Sequence, residues 1–353
     1  MLGDEQQYEL YWKITLEYSD FFGEKFRTCL AVIVAFIDEQ KDIPFSSEKY
    51  EALQKRVEGV FPKADSASTR KSINQYVKLG FILPELIFYH PATKAFLHET
   101  SLGKKKALLS KIIYSDSSFD RSVTNQSDKK EINFLIKTLQ KVGTLSKDGV
   151  LALMTVDVSA VPNGFLDRAG LEERRRLVDA INFGERKYNQ LSYLWSLLKQ
   201  LDGLVVQDDT ISLQVDMAVV GDEVDDLPKK RDPYLHQIYK NQLKVESNDQ
   251  FGSIACMLEK LAYPSLVASH IKPFSISSEV EAYDVNNGLL LSKNMDFLFD
   301  QGYISFLSDG SILISERLHI GVREYLKPFT LGKTFLAEAR LAYLEYHRAH
   351  VFS

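Results

Sequence analysis

The sequence predicts an α+β protein: two helical units, each closed by a strand segment, then a C-terminal strand–loop–strand–helix unit. Three observations carry this. Amphipathic helical patterns dominate residues 20–216 and are interrupted by short apolar or alternating runs. An acidic run, Asp222–Asp226, and a basic run inside Pro228–Pro233 then mark an exposed linker. Beyond it stand, in order, Ala268-Ser269-His270-Ile271-Lys272-Pro273, Asn286-Asn287-Gly288-Leu289-Leu290-Leu291 and Asp296-Phe297-Leu298-Phe299-Asp300-Gln301-Gly302.

The bulk numbers bound this reading. A chain of 353 residues argues for two or three domains. With 45% hydrophobic and 26% charged residues it can bury ordinary cores. The net charge of −5 argues against a uniformly basic coat but not against local phosphate-binding patches. Two isolated thiols, Cys29 and Cys256, support neither a disulfide framework nor a four-ligand zinc site, and a reducing, cytoplasmic setting is expected. The first residues lack the basic and apolar regions of a signal peptide, and the apolar run Leu30–Ile37 is too short to span a bilayer, so no membrane partner is expected.

Residues 1–110 read as the first unit. Arg27–Glu39 is a helix with an apolar face, and Ser46 or Ser47 caps a second helix through Val60. Asp65–Gly80 holds a third, with Ile73 and Val77 on one face and Gly80 as its stop. Its other face carries Ser68, Thr69, Arg70, Lys71, Asn74 and Gln75, which is either a base- and phosphate-reading surface or a solvated one. Phe81–Tyr89 is apolar and strand-like. Helix, helix, polar helix and strand is the order of a winged helix-turn-helix.

Residues 101–128 read as a connector, with a charged run at Lys104–Lys106 and a Ser/Asp-rich loop after it. Residues 111–220 form the second winged-helix-like unit. Glu131–Val142 is a helix closed by Gly143, and Leu145–Met154 is a second with its cap near Ser146. Leu171–Asn182 carries Arg174, Arg175 and Arg176, which are phosphate contacts or a solvated face. Lys187–Leu201 buries Leu191, Leu194, Trp195 and Leu198, and the following strands flank an Asp208-Asp209 hairpin turn. Residues 221–245 are linker and lead-in helix, and 246–353 the last domain.

In that domain Tyr263–Ile271 reads as a strand ending at His270, where Pro273 stops the ladder. Asn286-Asn287-Gly288 is a turn and Leu289–Leu291 a short buried strand. A helix from Ser292 or Asn294 through Phe299 puts Asp296 and Asp300 on one face, and Gly302 ends it. A hairpin around Asp309-Gly310 follows.

These motifs resemble the HNH (ββα-metal) endonucleases, in particular their restriction-endonuclease-like branch. The residues that carry the resemblance are Ala268–Pro273, Asn287–Leu291, Phe299-Asp300-Gln301-Gly302 and Ile304-Ser305-Phe306, with Arg231-Asp232-Pro233-Tyr234 and Tyr346-His347-Arg348 at the margins of a match over roughly 231–350. The resemblance implies two winged-helix-like DNA-binding domains followed by a C-terminal ββα-metal (HNH) nuclease domain. It makes His270 the general base, its imidazole titrating near working pH. It makes Asn287 the amide that fixes the loop and orients the histidine. Asp296 occupies the place of the family's last histidine, an H-N-D version whose carboxylate suits Mg²⁺ or Mn²⁺. Ser269 stands where relatives place an Asp or His, so Asn294, Ser269 or water would complete the metal shell. Position 259 is Glu rather than the cysteine of a zinc-holding pair with Cys256, so no structural zinc is expected.

Lys272 contacts the scissile phosphate or is solvated, and Asp300 is a structural partner rather than a ligand. His319, His347 and His350 are packing or surface residues, and His90 and His98 have no metal-ligand partners nearby in sequence. The expected activity is sequence- or modification-specific cleavage of double-stranded DNA by a homodimer, leaving 5′-phosphate ends. The competing expectation is a non-catalytic DNA-binding regulator with a degenerate HNH domain. A weaker third is an RNA-directed or structure-specific nuclease.

Overall fold

The computed structural model describes residues 12–62, 66–181, 183–214, 219–220 and 231–353. The chain is mixed α+β, and divides into two compact units, residues 1–214 and 215–353. The first is mostly helical: α1 (Glu24–Glu39), α2 (Ser47–Val60), α3 (Ser66–Lys78), α4 (Ala92–His98), α5 (Leu102–Asp116), α6 (Glu131–Val142), β1 (Thr144–Ser146), α7 (Lys147–Leu153), α8 (Arg168–Ala180), α9 (Phe183–Leu198), β2 (Leu204–Gln207) and β3 (Thr210–Leu213). The second comprises β4 (Val219–Val220), α10 (Pro233–Phe251), β5 (Leu266–His270), α11 (Glu279–Ala282), β6 (Gly288–Leu291), α12 (Lys293–Asp300), β7 (Ile304–Phe306), β8 (Ile312–Ile314), α13 (Ile320–Leu326) and α14 (Glu338–His350).

In the first unit α1 buries Phe26, Cys29, Leu30, Ile33, Val34 and Ile37, the helical stripe its sequence announces. Ser46 caps α2 by accepting from the Lys49 N–H. Ile73, Tyr76 and Val77 anchor α3. The strand expected at Phe81–Tyr89 does not form. Pro84 removes a ladder donor, Glu85 and Leu86 take positive φ, and only an isolated bridge joins Ile82 to Tyr89. The segment 101–128 is not merely a connector either. All of α5 lies in it, burying Leu109, Ile112, Ile113 and Tyr114, and the expected boundary at residue 110 falls inside this helix. The lysine run occupies its first turns and hid the apolar period that follows.

After α6 the chain forms a strand that the sequence reading assigned to helix. β3 pairs antiparallel with both β1 and β2, giving the order β1-β3-β2 with Leu145 and Val206 opposite Ile211. The expected turn at Asp208-Asp209 joins the hairpin. Ser146 ends β1 and caps α7 by accepting from the Gly149 N–H. Asp65, Asn182 and most of the expected linker at 217–233 lie outside the described residues.

Among its described residues the second unit holds a three-stranded sheet, order β4-β5-β6, and a two-stranded one, β7-β8. β4 runs parallel to β5, and β5 pairs antiparallel with β6 so that His270 lies opposite Gly288 and Ser269 opposite Leu289. Every residue of β5 and β6 is buried. A strand covered on both faces shows a continuous apolar run rather than alternation, which is why Leu289-Leu290-Leu291 reads as it does. Burying each of those leucines contributes roughly 1.5–3 kcal/mol. Ser292 caps α12, which lays Met295 and Phe299 into the same core, beside Leu266, Ile304, Phe306 and Leu344. Gly302 follows α12 with φ +69°, and a Cβ there would stand 2.1 Å from the Val351 carbonyl oxygen.

Arg340 ties three segments of this unit together. It is buried on α14, pairs with Glu246 of α10 at 2.7 Å, and donates to the carbonyls of Val285 and Phe335. His347, also on α14, stacks on Phe299 at 3.9 Å between ring centroids, and its nitrogens engage Ser305 Oγ and the Phe299 carbonyl.

Candidate active site

His270 is the last residue of β5 and its ring is buried. Its Nε2 lies 3.0 Å from the carbonyl oxygen of Ala282. A carbonyl only accepts, so the neutral ring carries its proton on Nε2 and Nδ1 becomes its basic nitrogen. The ring stacks on Tyr239 at 4.7 Å and meets the edge of Phe274 at 5.6 Å. Orientation, tautomer and packing are therefore all fixed by the surrounding chain.

Asn287 fixes the loop that delivers Ala282. Its Oδ1 accepts from the Lys272 N–H at 2.7 Å, and its Nδ2 donates to the Lys272 carbonyl, Ser277 Oγ and the Glu281 carbonyl. Asn287 is fully buried, so these bonds satisfy groups that water does not reach. Ser277 adds bonds to the carbonyls of Lys272 and Pro273, and a capping box between Ser278 and Glu281 closes α11. The amide does not touch the histidine. It locks residues 272–281, and the next carbonyl along holds the ring.

Lys272 is half-buried and engaged by its neighbours. Its Nζ pairs with Glu281 at 2.7 Å and lies over the Tyr346 ring. The Lys272 hydrogen bond, helped by the Ser278 N–H, pulls the Glu281 carboxyl down to about 2.

Asp296 sits half-buried in the first turn of α12, which packs against β5. On the same helix Asp300 accepts from Ser269 Oγ at 3.5 Å, a long bond that puts a hydroxyl and a carboxylate side by side. Asn294 points elsewhere, lining an exposed groove with Tyr263, Pro264, Ser265, Ser292 and Lys293. Among the described residues no three His, Cys, Asp or Glu side chains are grouped so as to hold a metal. Cys256 is buried in the core, where its Sγ accepts from the Glu259 N–H.

Two residues of this site escaped the sequence reading. Tyr239 and His236 lie one turn apart on α10, which the sequence marked only as a lead-in helix. Tyr239 donates to the carbonyls of Ser269 and Asn287, bridging the strand that carries the histidine and the turn that carries the amide. His236 lies nearly parallel to His270 at 6.3 Å. Their i, i+3 spacing was the available signal, but nothing in it specifies a partner some thirty residues away.

In the first unit the expected reading face is only partly exposed. Arg70 and Lys71 face solvent. Gln75 does not: it is buried, accepts from the N–H groups of Glu17 and Tyr18, and donates to the Tyr18 carbonyl. Asn74 is half-buried and accepts from the Val123 N–H. Both amides are used as internal backbone clamps because the arc of α3 that carries them turns toward neighbouring chain. Arg175 is similarly engaged with Ser146 and Glu172, whereas Arg174 lines a pocket with Trp12, Glu131 and Asp157. No helix among the described residues is long and apolar enough to cross a membrane.

No curated protein was found to match the chain. Residues 256–307 match the family model described as HNH endonuclease, a narrower span than the 231–350 suggested by the motifs. The match begins at the buried cysteine, includes His270, Asn287 and Asp296, and ends after β7, with α10 and α14 outside it. The C-terminal unit thus carries an HNH endonuclease domain at residues 256–307.

Proposed function

We propose that the chain is a divalent-metal-dependent DNA endonuclease of the type II restriction kind, specific for a sequence or a modified base. One observation carries this reading: a buried histidine whose tautomer is set by the Ala282 carbonyl, on a loop locked by Asn287, inside an HNH domain. In the mechanism His270 Nδ1 takes a proton from water. The water oxygen attacks phosphorus, the 3′ oxygen leaves and is protonated by solvent, and a 5′-phosphate remains. Asn287 and Tyr239 hold the base in place throughout and take no proton.

HNH nucleases typically use a divalent metal. The donors here suit Mg²⁺ or Mn²⁺, since Asp296, with Asp300 and Ser269 nearby, offers hard oxygens, and Mg²⁺ needs only one or two carboxylates besides water and phosphate. When bound, such an ion would stabilise charge on the phosphate and on the leaving oxygen.

The β1-β3-β2 sheet, with α6 before it and the β2–β3 hairpin after α9, supports a winged-helix-like module in residues 131–213. Among its described residues the first segment shows only an isolated bridge, Ile82 to Tyr89, and it would supply Arg70 and Lys71 as phosphate contacts. A symmetric target would be cut by a homodimer.

The test is purified protein with Mg²⁺ or Mn²⁺ on methylated and unmethylated plasmid. Cleavage lost in His270→Ala with binding retained supports the reading. No cleavage under any of these conditions removes it. One observation favours a second reading, a DNA-binding regulator with a degenerate nuclease domain: Asp296 stands where the family places its last histidine. Intact duplex binding with neither cleavage nor metal uptake would select that reading.

A further inference from the structure

His236 is buried over nine-tenths of its surface, yet neither of its ring nitrogens has a hydrogen-bond partner among the described residues. A neutral imidazole always offers one donor and one acceptor. Leaving both unmet in a buried position forfeits their hydration with no return. Such a group in a native fold calls for a partner that arrives from outside.

Its neighbours indicate which partner. The ring lies parallel to His270 at 6.3 Å and to Tyr239 within 22° at 5.9 Å. Arg231 and Lys240 are near enough to disfavour a proton on it, as is His270. Arg231 is itself placed over the Phe274 ring at 4.8 Å, and Phe274 contacts His270 edge-on. Two cations, a donor-capable ring and the base are thus gathered at the start of α10. Burial, then Arg231 and Lys240, hold His236 down to about 3, so it stays neutral and keeps one N–H to give. A neutral N–H with cationic side chains nearby suits an anion oxygen.

We propose that His236 is a substrate-contacting residue of the HNH site, its ring N–H donating to a non-bridging oxygen of the phosphodiester seated beside His270, with Arg231 and Lys240 supplying the positive field. This rests on the nuclease reading above and goes beyond it by adding a phosphate contact from α10, which lies outside the matched HNH span.

The full-length protein, its histidine rings carrying ¹³C, is titrated in EDTA with a short DNA duplex and separately with inorganic phosphate. The His236 ring signal is identified by its loss in His236→Gln. Duplex affinity is followed by fluorescence anisotropy. The expected result is a His236 shift with both probes, and about a tenfold loss of duplex affinity in His236→Phe that His236→Gln largely restores, because glutamine keeps a donor. Duplex binding that leaves the His236 signal unmoved overturns the proposal, as does a phenylalanine variant that binds like wild type. If the duplex does not bind at all, the nuclease reading fails. The phosphate titration then decides alone: a shift supports the anion contact, and its absence overturns it.

Discussion

The phenolic oxygen of Tyr239 lies so close over Gly288 that a Cβ on residue 288 would stand 2.2 Å from it. Gly288 has an ordinary extended backbone, so its need for glycine is one of approach rather than conformation. The same hydroxyl bridges the carbonyls of Ser269 and Asn287, and His270 faces Gly288 across the sheet. Gly288→Ala should therefore push Tyr239 off both carbonyls and tilt the ring on which His270 stacks. A loss of about 1–3 kcal/mol in stability is expected, with a larger fall in cleavage than in DNA binding. Tyr239→Phe alone should cost about 1 kcal/mol. It removes the nearest atom but leaves ring carbon at 2.8 Å, so the alanine should cost less in the double variant than in wild type. Denaturant unfolding followed by circular dichroism measures all three, and strict additivity would show that the contact is not the cause.

On the proposed mechanism Asn287 positions the base through the loop, and its replacement separates the two. Asn287→Ala abandons the Lys272 N–H and three acceptors, which should cost on the order of 2–3 kcal/mol. Asn287→Asp keeps the acceptor for Lys272 but turns a charged oxygen toward two carbonyls, so it should be no better. In both variants the Ala282 carbonyl is released, and cleavage should fall by about 100-fold through misplacement of His270. Plasmid nicking rates at a temperature where each variant remains folded provide the check. A folded Asn287→Ala enzyme cutting at the wild-type rate would show that the loop does not orient the base.

The parts of this site written locally were legible in the sequence. His270 ends an apolar run before Pro273, Asn287 precedes a glycine, and Ser292 caps the helix that carries Asp296; each is a short-range signal. What stayed hidden was whatever depends on distant packing. Tyr239 and His236 acquire meaning only once α10 is laid against β6. Gln75 looked like a reader of bases because its residue type is right, but α3 turns it inward onto the Tyr18 backbone. The missing strand at Phe81–Tyr89 is a different case, since Pro84 was visible and its cost to a ladder was outweighed by the apolar residues around it.

Two buried groups should give the units opposite responses to pH. In the second unit burial holds His347 down to about 4, below the ordinary value of 6.5. The unfolded chain binds the extra proton first, so this histidine destabilises the fold as pH drops from about 6.5 toward 4, by roughly 3 kcal/mol at most. In the first unit burial raises Glu131 to about 7, against 4.5. There the folded chain binds the extra proton, so stability falls as pH rises from about 4.5 to 7. Hydrogen exchange at β7 and at α6, measured across pH and corrected for intrinsic rates, reads the two units separately. His347→Gln should flatten the acid-side loss at β7, and Glu131→Gln the loss on raising pH at α6. Unchanged profiles would refute these assignments.

On the proposed nuclease reading, a phosphate contact by Lys272 has to compete with its ion pair to Glu281. Glu281 holds Nζ at 2.7 Å, so an incoming phosphate must compete with a carboxylate already in place. Glu281→Gln keeps an acceptor for the Ser278 N–H, preserving the cap of α11, while removing the competing charge. Its expected effect is tighter duplex binding at low salt and a steeper fall with salt, by about one unit in the slope of log affinity against log salt, as one more lysine displaces counterions. Adding Lys272→Gln to that variant should return the slope to the wild-type value. Lys272→Gln alone should change it little, because in wild type the lysine is largely neutralised by its partner. Anisotropy titrations in EDTA across a salt series measure the slopes without cleavage. Equal slopes in all four proteins would place Lys272 away from the nucleic acid and leave the pair with a purely structural role in tying the loop after β5 to α11.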